Sequence, residues 1–308
     1  MKKANVGGQA VIEGVMMRGP SFMATAVRKP DGEIIVNKKS FTTVAERWPI
    51  LKKPLLRGVV ALFESLVHGM KELSWSAQAA GEEDEMLTTR ELVLTMAFAI
   101  CLAIGLFIIL PTSAAKFLSG SITDPFWLNL AEGVLRLAVF LAYVSAISMM
   151  KDIQRVFQYH GAEHKTIHAY EAGLELVPEN IREFSTLHPR CGTNFLLIVM
   201  LVSIFIFAFL GWPSLGERIA SRIILMPLVA GISYEVIRFA GNNFQKSWVK
   251  VIIMPGLMLQ KLTTREPSDD QIEVAVMALK AALPDVFPEV EEKQETLPVE
   301  NLQGVSNA

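Results

Sequence analysis

Two stretches of this chain have the length and composition to cross a lipid bilayer, and they constrain the fold more than any other feature. "LVLTMAFAICLAIGLFIIL" (92–110) and "NFLLIVMLVSIFIFAFLGW" (194–212) are each nineteen residues without a charge. A hydrocarbon core about 30 Å thick takes roughly 20 helical residues, so both predict transmembrane helices. Two further segments predict spans although they carry charges. "FWLNLAEGVLRLAVFLAYVSAISMM" (126–150) contains Glu132 and Arg136, and "ERIASRIILMPLVAGISYEVIRF" (217–239) contains Arg222, Pro227 and Glu235. A charge at that depth turns inward and finds a partner, so these four residues either lock the helices together or line an ion path. The run "WVKVIIMPGLMLQ" (248–260) is too short to span and is expected to be broken by Pro255 and Gly256. It is expected to be an interfacial or re-entrant segment.

The expectation is a mainly α, polytopic membrane protein of about four spans with a small N-terminal α+β part. Lysine and arginine favour the cytoplasmic side. Only Lys116 lies between the first two spans, against Lys151, Arg155, Lys165, Arg182 and Arg190 between the second and third. Both termini and the 151–193 loop are therefore expected in the cytoplasm. Five units follow: 1–90, a hairpin and amphipathic helix; 91–150, the first helix pair; 151–193, a His-rich loop; 194–262, the second pair with the interfacial segment; and 263–308, a helix and tail.

Within the first unit, "MATAVRKPDGEIIVNKK" (23–39) places alternating apolar residues around Pro30-Asp31-Gly32, which predicts a β-hairpin. Residues 53–78 have helical apolar spacing, and 81–85 form an acidic linker. Residues 268–283 predict an amphipathic helix capped by Ser268, followed by a Pro- and Glu-rich tail expected to be disordered. The N-terminus has no apolar core of the signal-peptide kind. Cys101 and Cys191 offer no disulfide framework. A net charge of −2 without a basic patch excludes nucleic acid as a partner.

The chemistry concentrates in "FQYHGAEHKTIHAYEAG" (157–173) and "LHPRCGTN" (187–194), which together hold four of the five histidines. His160 and His164 lie four residues apart and, on a helix, present both rings on one face, the spacing that binds one divalent ion. Glu163 completes His-x-x-Glu-His, the reversed zinc-hydrolase motif, in which the histidines ligate and the glutamate is general base. A catalytic zinc takes a third protein ligand. His188 is the favoured candidate, with Cys191 and Glu171 behind it. His168 lies about 12 Å along the helix from His160, too far to share an ion with it. The glycine-rich "GGQAVIEGVMMRGP" (7–20) either packs under the hairpin or brings Glu13 or Arg18 to the site as a further ligand or substrate anchor. Arg190 is a second candidate anion anchor. His68 reads as structural.

"GGQAVIEGVMMRGP", "YHGAEHKTIHAYE" and "HPRCGTNF" together resemble the YqhQ-like family, a bacterial membrane domain of unknown function described in general terms as metal-dependent enzymes. The resemblance covers roughly residues 5 to 285. It implies an inner-membrane protein and a metal-dependent role for His160, Glu163, His164 and His188, without a reaction or substrate. The leading expectation is thus a zinc-dependent hydrolase at the cytoplasmic membrane surface, acting on a lipid-linked or membrane-proximal substrate. Its rivals are a scaffold or assembly factor with a structural metal, and an ion carrier using Glu132, Arg136, Arg222 and Glu235. Homo-oligomerisation is compatible with each.

Overall fold

The computed structural model describes residues 4–81, 89–118 and 120–288. The linker at 82–85 and the tail beyond 288 lie outside the described residues. Four antiparallel strands open the chain: β1 (Gly7–Val11), β2 (Gly14–Arg18), β3 (Phe22–Arg28) and β4 (Ile34–Ser40), paired in sequence order with β1 and β4 at the edges. The expected hairpin is β3–β4, with Arg28 opposite Ile34. The glycine-rich segment does not pack beneath it. That segment forms a second hairpin, β1–β2, and extends the same sheet.

Helices supply the rest. A short α1 (Val44–Arg47) leads to α2 (Leu56–Ala80), as the apolar spacing of 53–78 predicts. The chain continues with α3 (Thr89–Ile104), a π-helical step at Gly105–Ile109, α4 (Leu110–Leu118) and α5 (Pro125–Ile147). Next come α6 (Lys151–Ala172), α7 (Pro178–Arg182), α8 (Gly192–Ala208) and α9 (Leu215–Asn242). The described chain closes with α10 (Ser247–Thr263) and α11 (Asp269–Ala282).

Period-2 alternation divides the sheet between two partners. Val15, Met17, Ala24 and Ala26 face a core shared with α6 and α11, including Tyr159, Ile167, Ile272 and Leu279. Val11, Met16, Met23 and Val27 face the other way, with Phe41 and Ala79. Ser268 caps α11 through a reciprocal box with Gln271, as its sequence position predicts. The first and last described segments of the chain therefore share one core.

The remaining helices form an apolar bundle in which α8 packs against α5, α9 and α10. Among the described residues, three helices are long and apolar enough to cross a membrane: Val93–Leu118, Pro125–Ile147 and Leu215–Asn242. The segment expected at 194–212 is a shorter helix of 17 residues that stops at Ala208. Large apolar side chains point outward along the bundle, with Phe98 at 69%, Phe205 at 69% and Ile224 at 74% exposure. The expected break at Pro255 is absent: α10 runs unbroken through it. Of the four charges expected within the spans, Glu132, Arg136 and Arg222 come together in the interior, but the partly exposed Glu235 pairs instead with Arg57 of α2.

Candidate metal centre

α6 presents His160 and His164 on one face, with ring centroids 4.4 Å apart. Gly161 lies between them at a forced close approach. A Cβ there would overlap the carbonyl oxygen of Arg265, so the helix-weakening residue lets the segment after α10 cross directly over the motif. Phe157 anchors that crossing by accepting from the Arg265 amide at 2.9 Å. The crossing brings up the Thr263 carbonyl, 2.7 Å from His160 Nδ1, while the Thr186 carbonyl meets His164 Nδ1. A carbonyl only accepts, so both Nδ1 atoms carry the proton and both Nε2 atoms present lone pairs. This is the orientation that metal-ligating imidazoles take from their outer partners.

The third donor at that point is Cys191, not the expected His188. Cys191 Sγ lies 3.2 Å from His160 Nε2, and one ligand atom each from His160, His164 and Cys191 falls within 4.8 Å of the others. The local backbone explains the exchange. Gln260 of α10, fully buried, accepts from the His188 amide at 2.8 Å and donates to its carbonyl at 2.9 Å. With the bend held there, Cys191 becomes the N-cap of α8 on the side of His160, and the His188 ring turns toward His168, 4.7 Å away.

His168, Glu171 and His188 form a second donor set of the same dimensions. Its members already have partners. His168 Nε2 donates to the Leu187 carbonyl at 3.0 Å, and Glu171 is ion-paired with Arg190. Burial pushes the His188 ring down to about 4. Burial pushes the Glu171 carboxyl up, but hydrogen bonds from His188 and Arg190 outweigh it and hold the group at about 2. A cation at this set would compete with the Arg190 guanidinium for Glu171. The first set has no such competitor among the described residues and is the better candidate for holding a metal ion.

Glu163 is buried beside the first set, with Oε2 3.6 Å from His164 Nε2 and 3.9 Å from His160 Nε2. Burial raises its carboxyl to about 7, opposed by the electrostatic influence of the neighbouring His160 ring and by the Gly8 amide. Gly8 belongs to β1 and was not among the expected site residues. A Cβ at position 8 would sit 2.8 Å from both Glu163 Cγ and the Met16 carbonyl oxygen. The double glycine of the N-terminal motif was its signal. The backbone carbonyls of Thr186 and Thr263 leave no mark in a sequence.

The three expected substrate anchors separate. Glu13 sits at the β1–β2 turn with φ +48° and binds Arg155 and Tyr159 of α6, so it clamps the sheet to the motif helix. Arg18 is on the wrong face. Its strand position alternates with Met17, so it points toward α2, where it lies over the Phe41 ring and 3.9 Å from Glu64. Arg190 stays near the histidines through Glu171, partly exposed. His68 packs edge-on against Phe41.

Residues 53–285 match a family model described as a protein of unknown function, DUF1385. The chain is also 36% identical over 292 residues to the uncharacterized protein YqhQ of Bacillus subtilis (strain 168), covering 90% of this chain and 92% of that one. No solved structure matches.

Proposed function

The chain belongs to the DUF1385 family of proteins of unknown function, the YqhQ-like family, and from that premise we propose that it is a membrane-embedded, metal-dependent hydrolase. One observation carries the reading: two imidazole nitrogens and a sulfur converge beside a buried carboxyl that titrates near neutrality. The donor chemistry fits zinc, which favours nitrogen and sulfur ligands. Zinc held by His160, His164 and Cys191 would supply Lewis acidity for activating water and polarising a carbonyl. Glu163 would accept the proton from the attacking water and pass it to the leaving group. A base is most effective when its pKa lies near the working pH.

The outward apolar side chains of the bundle support a bilayer around it. The lysine and arginine asymmetry supports a cytoplasmic site at the inner membrane, with both termini on that side. The substrate is then membrane-proximal. β1 favours an extended polypeptide over a compact headgroup, because among the described residues it pairs only with β2 and leaves Gly7 and Gly8 exposed beside Glu163. A sheet edge recognises an added strand through main-chain hydrogen bonds.

Two measurements test this, the first on detergent-purified protein and the second on cells. Elemental analysis should find about one zinc per chain, lost when His160 and His164 are both replaced by alanine. Cells expressing wild type should accumulate new protein N-termini that are missing with Glu163→Gln. The near-complete burial of His164, at 1% exposure, favours a second reading, a closed structural metal in a scaffold. In that case Glu163→Gln is silent.

A further inference from the structure

A separate group of charges lies at the opposite end of the bundle. Glu132 and Arg136 of α5 meet Arg218 and Arg222 of α9, and all four are at most 8% exposed. Glu132 Oε1 accepts from Thr112 at 3.0 Å and from Arg136 and Arg222 at 2.8 Å each. Its other oxygen is 3.8 Å from Arg218 Nη1, without a hydrogen bond. Arg136 completes its bonding on the Phe107 carbonyl at 2.9 Å. From Glu132 to the α6 end of α5 is about 22 Å at the helical rise, so this group is distinct from the histidines.

The group is not balanced. Three guanidiniums, which do not deprotonate in proteins, face one carboxylate. Arg218 Nε and Nη1 and Arg222 Nε are buried without hydrogen-bond partners. Among the described residues no other carboxylate lies within 4.0 Å of either side chain. Arg218 rests on the Trp212 ring at 3.9 Å and Arg222 near Phe207 at 5.5 Å, which offsets only part of the cost of burying an uncompensated charge. Two excess positive charges and three open N–H donors call for an anion with several oxygen acceptors.

We propose that Arg218 and Arg222, with Arg136 behind them, bind a phosphate group. Planar guanidinium forks match phosphate oxygens in pairs. The source favoured by the surroundings is a phospholipid headgroup, an assignment that rests on the bilayer reading of the bundle. Arg218 stands in the first turn of α9, where a charged side chain meets the headgroup layer. Ile223 and Ile224, exposed at 62% and 74%, flank the group with an apolar surface for acyl chains. Free phosphate has the same chemistry and is the other source to test.

The test uses delipidated full-length protein in a neutral detergent, with native mass spectrometry and thermal shift. One arm adds phosphatidylglycerol in mixed micelles and the other adds inorganic phosphate. Wild type should retain or rebind phospholipid, and both Arg218→Gln and Arg222→Gln should weaken retention at least tenfold while zinc content stays unchanged. Glu132→Gln guards against mere misfolding. It removes the carboxylate that competes with the anion, so a phosphate site binds more tightly, whereas a purely structural ion pair only loses stability. A response to inorganic phosphate equal to that of the lipid upholds the phosphate site and assigns it to a soluble anion. No bound phosphorus, and no shift in either arm, overturns the proposal.

Discussion

Gly8 lies against the side chain of Glu163, where a Cβ would stand 2.8 Å from Cγ and 2.9 Å from Oε1, and this contact ties the β1 edge of the sheet to the middle of the histidine motif. The two residues are 155 positions apart, and no side chain at position 8 larger than hydrogen leaves the contact intact.

Gly8→Ala should therefore displace Glu163 or the β1–β2 pairing, because its Cβ would meet the Met16 carbonyl as well as the glutamate. Overpacking of this kind costs about 1–3 kcal/mol. Gly7→Ala is the matched control, since a Cβ there meets nothing within 4 Å. Thermal unfolding of the two variants should differ by several degrees.

Glu163→Gln should keep the metal and lose turnover. The amide preserves shape but accepts no proton, and removal of a general base lowers rates by about 10²- to 10⁴-fold. Zinc content of the purified variant and the yield of new N-termini in the cells that express it check both halves of the statement.

Cys191→Ala should weaken zinc binding far more than His188→Ala does. Cys191 offers a donor within 4.8 Å of those of His160 and His164, whereas His188 groups with His168 and Glu171. Loss of an outer partner costs about 10- to 100-fold in metal affinity, and loss of a ligand exceeds that. Competition with a coloured chelator ranks the two. Equal losses would return His188 to the ligand set.

Metal-free protein should show a pH signature of Glu163. Its folded carboxyl is raised to about 7 from an ordinary 4.5, so the folded form binds its proton more tightly than the unfolded chain does. The stability it contributes is complete below pH 4.5 and is lost as pH rises through 7, by roughly 3 kcal/mol. His188, pushed down to about 4, acts in the opposite sense, with stability present above pH 6.5 and lost as pH falls toward 4. Subtracting the pH profile of Glu163→Gln from that of wild type cancels the histidine. What remains should fall between pH 4.5 and 7.

Much of the architecture was legible because it follows from local periodicity. Apolar runs marked the helices, Pro30-Asp31-Gly32 marked the β3–β4 turn, and Ser268 marked the start of α11. His160, Glu163 and His164 were legible as one unit because helical spacing alone brings them together. What failed was long-range. Which way the 188–191 bend faces is decided by Gln260, 72 residues beyond His188, so spacing could not choose between His188 and Cys191. Nothing local marked the glycine-rich segment as a pair of strands, so nothing said that Arg18 would face away from α6. Pro255 marked a break that α10 does not have.

The crossing of residue 265 over Gly161 and the packing of α11 on β2 and β3 have a consequence for biosynthesis. Residue 8 leaves the ribosome before the histidines, and the Thr263 carbonyl that orients His160 follows the last of them, His188, by 75 residues. An unfinished chain holds every metal donor without the geometry to use them. Competence therefore arrives in one step, late in translation, and a truncation that removes α10 and α11 should yield an inserted but inert protein.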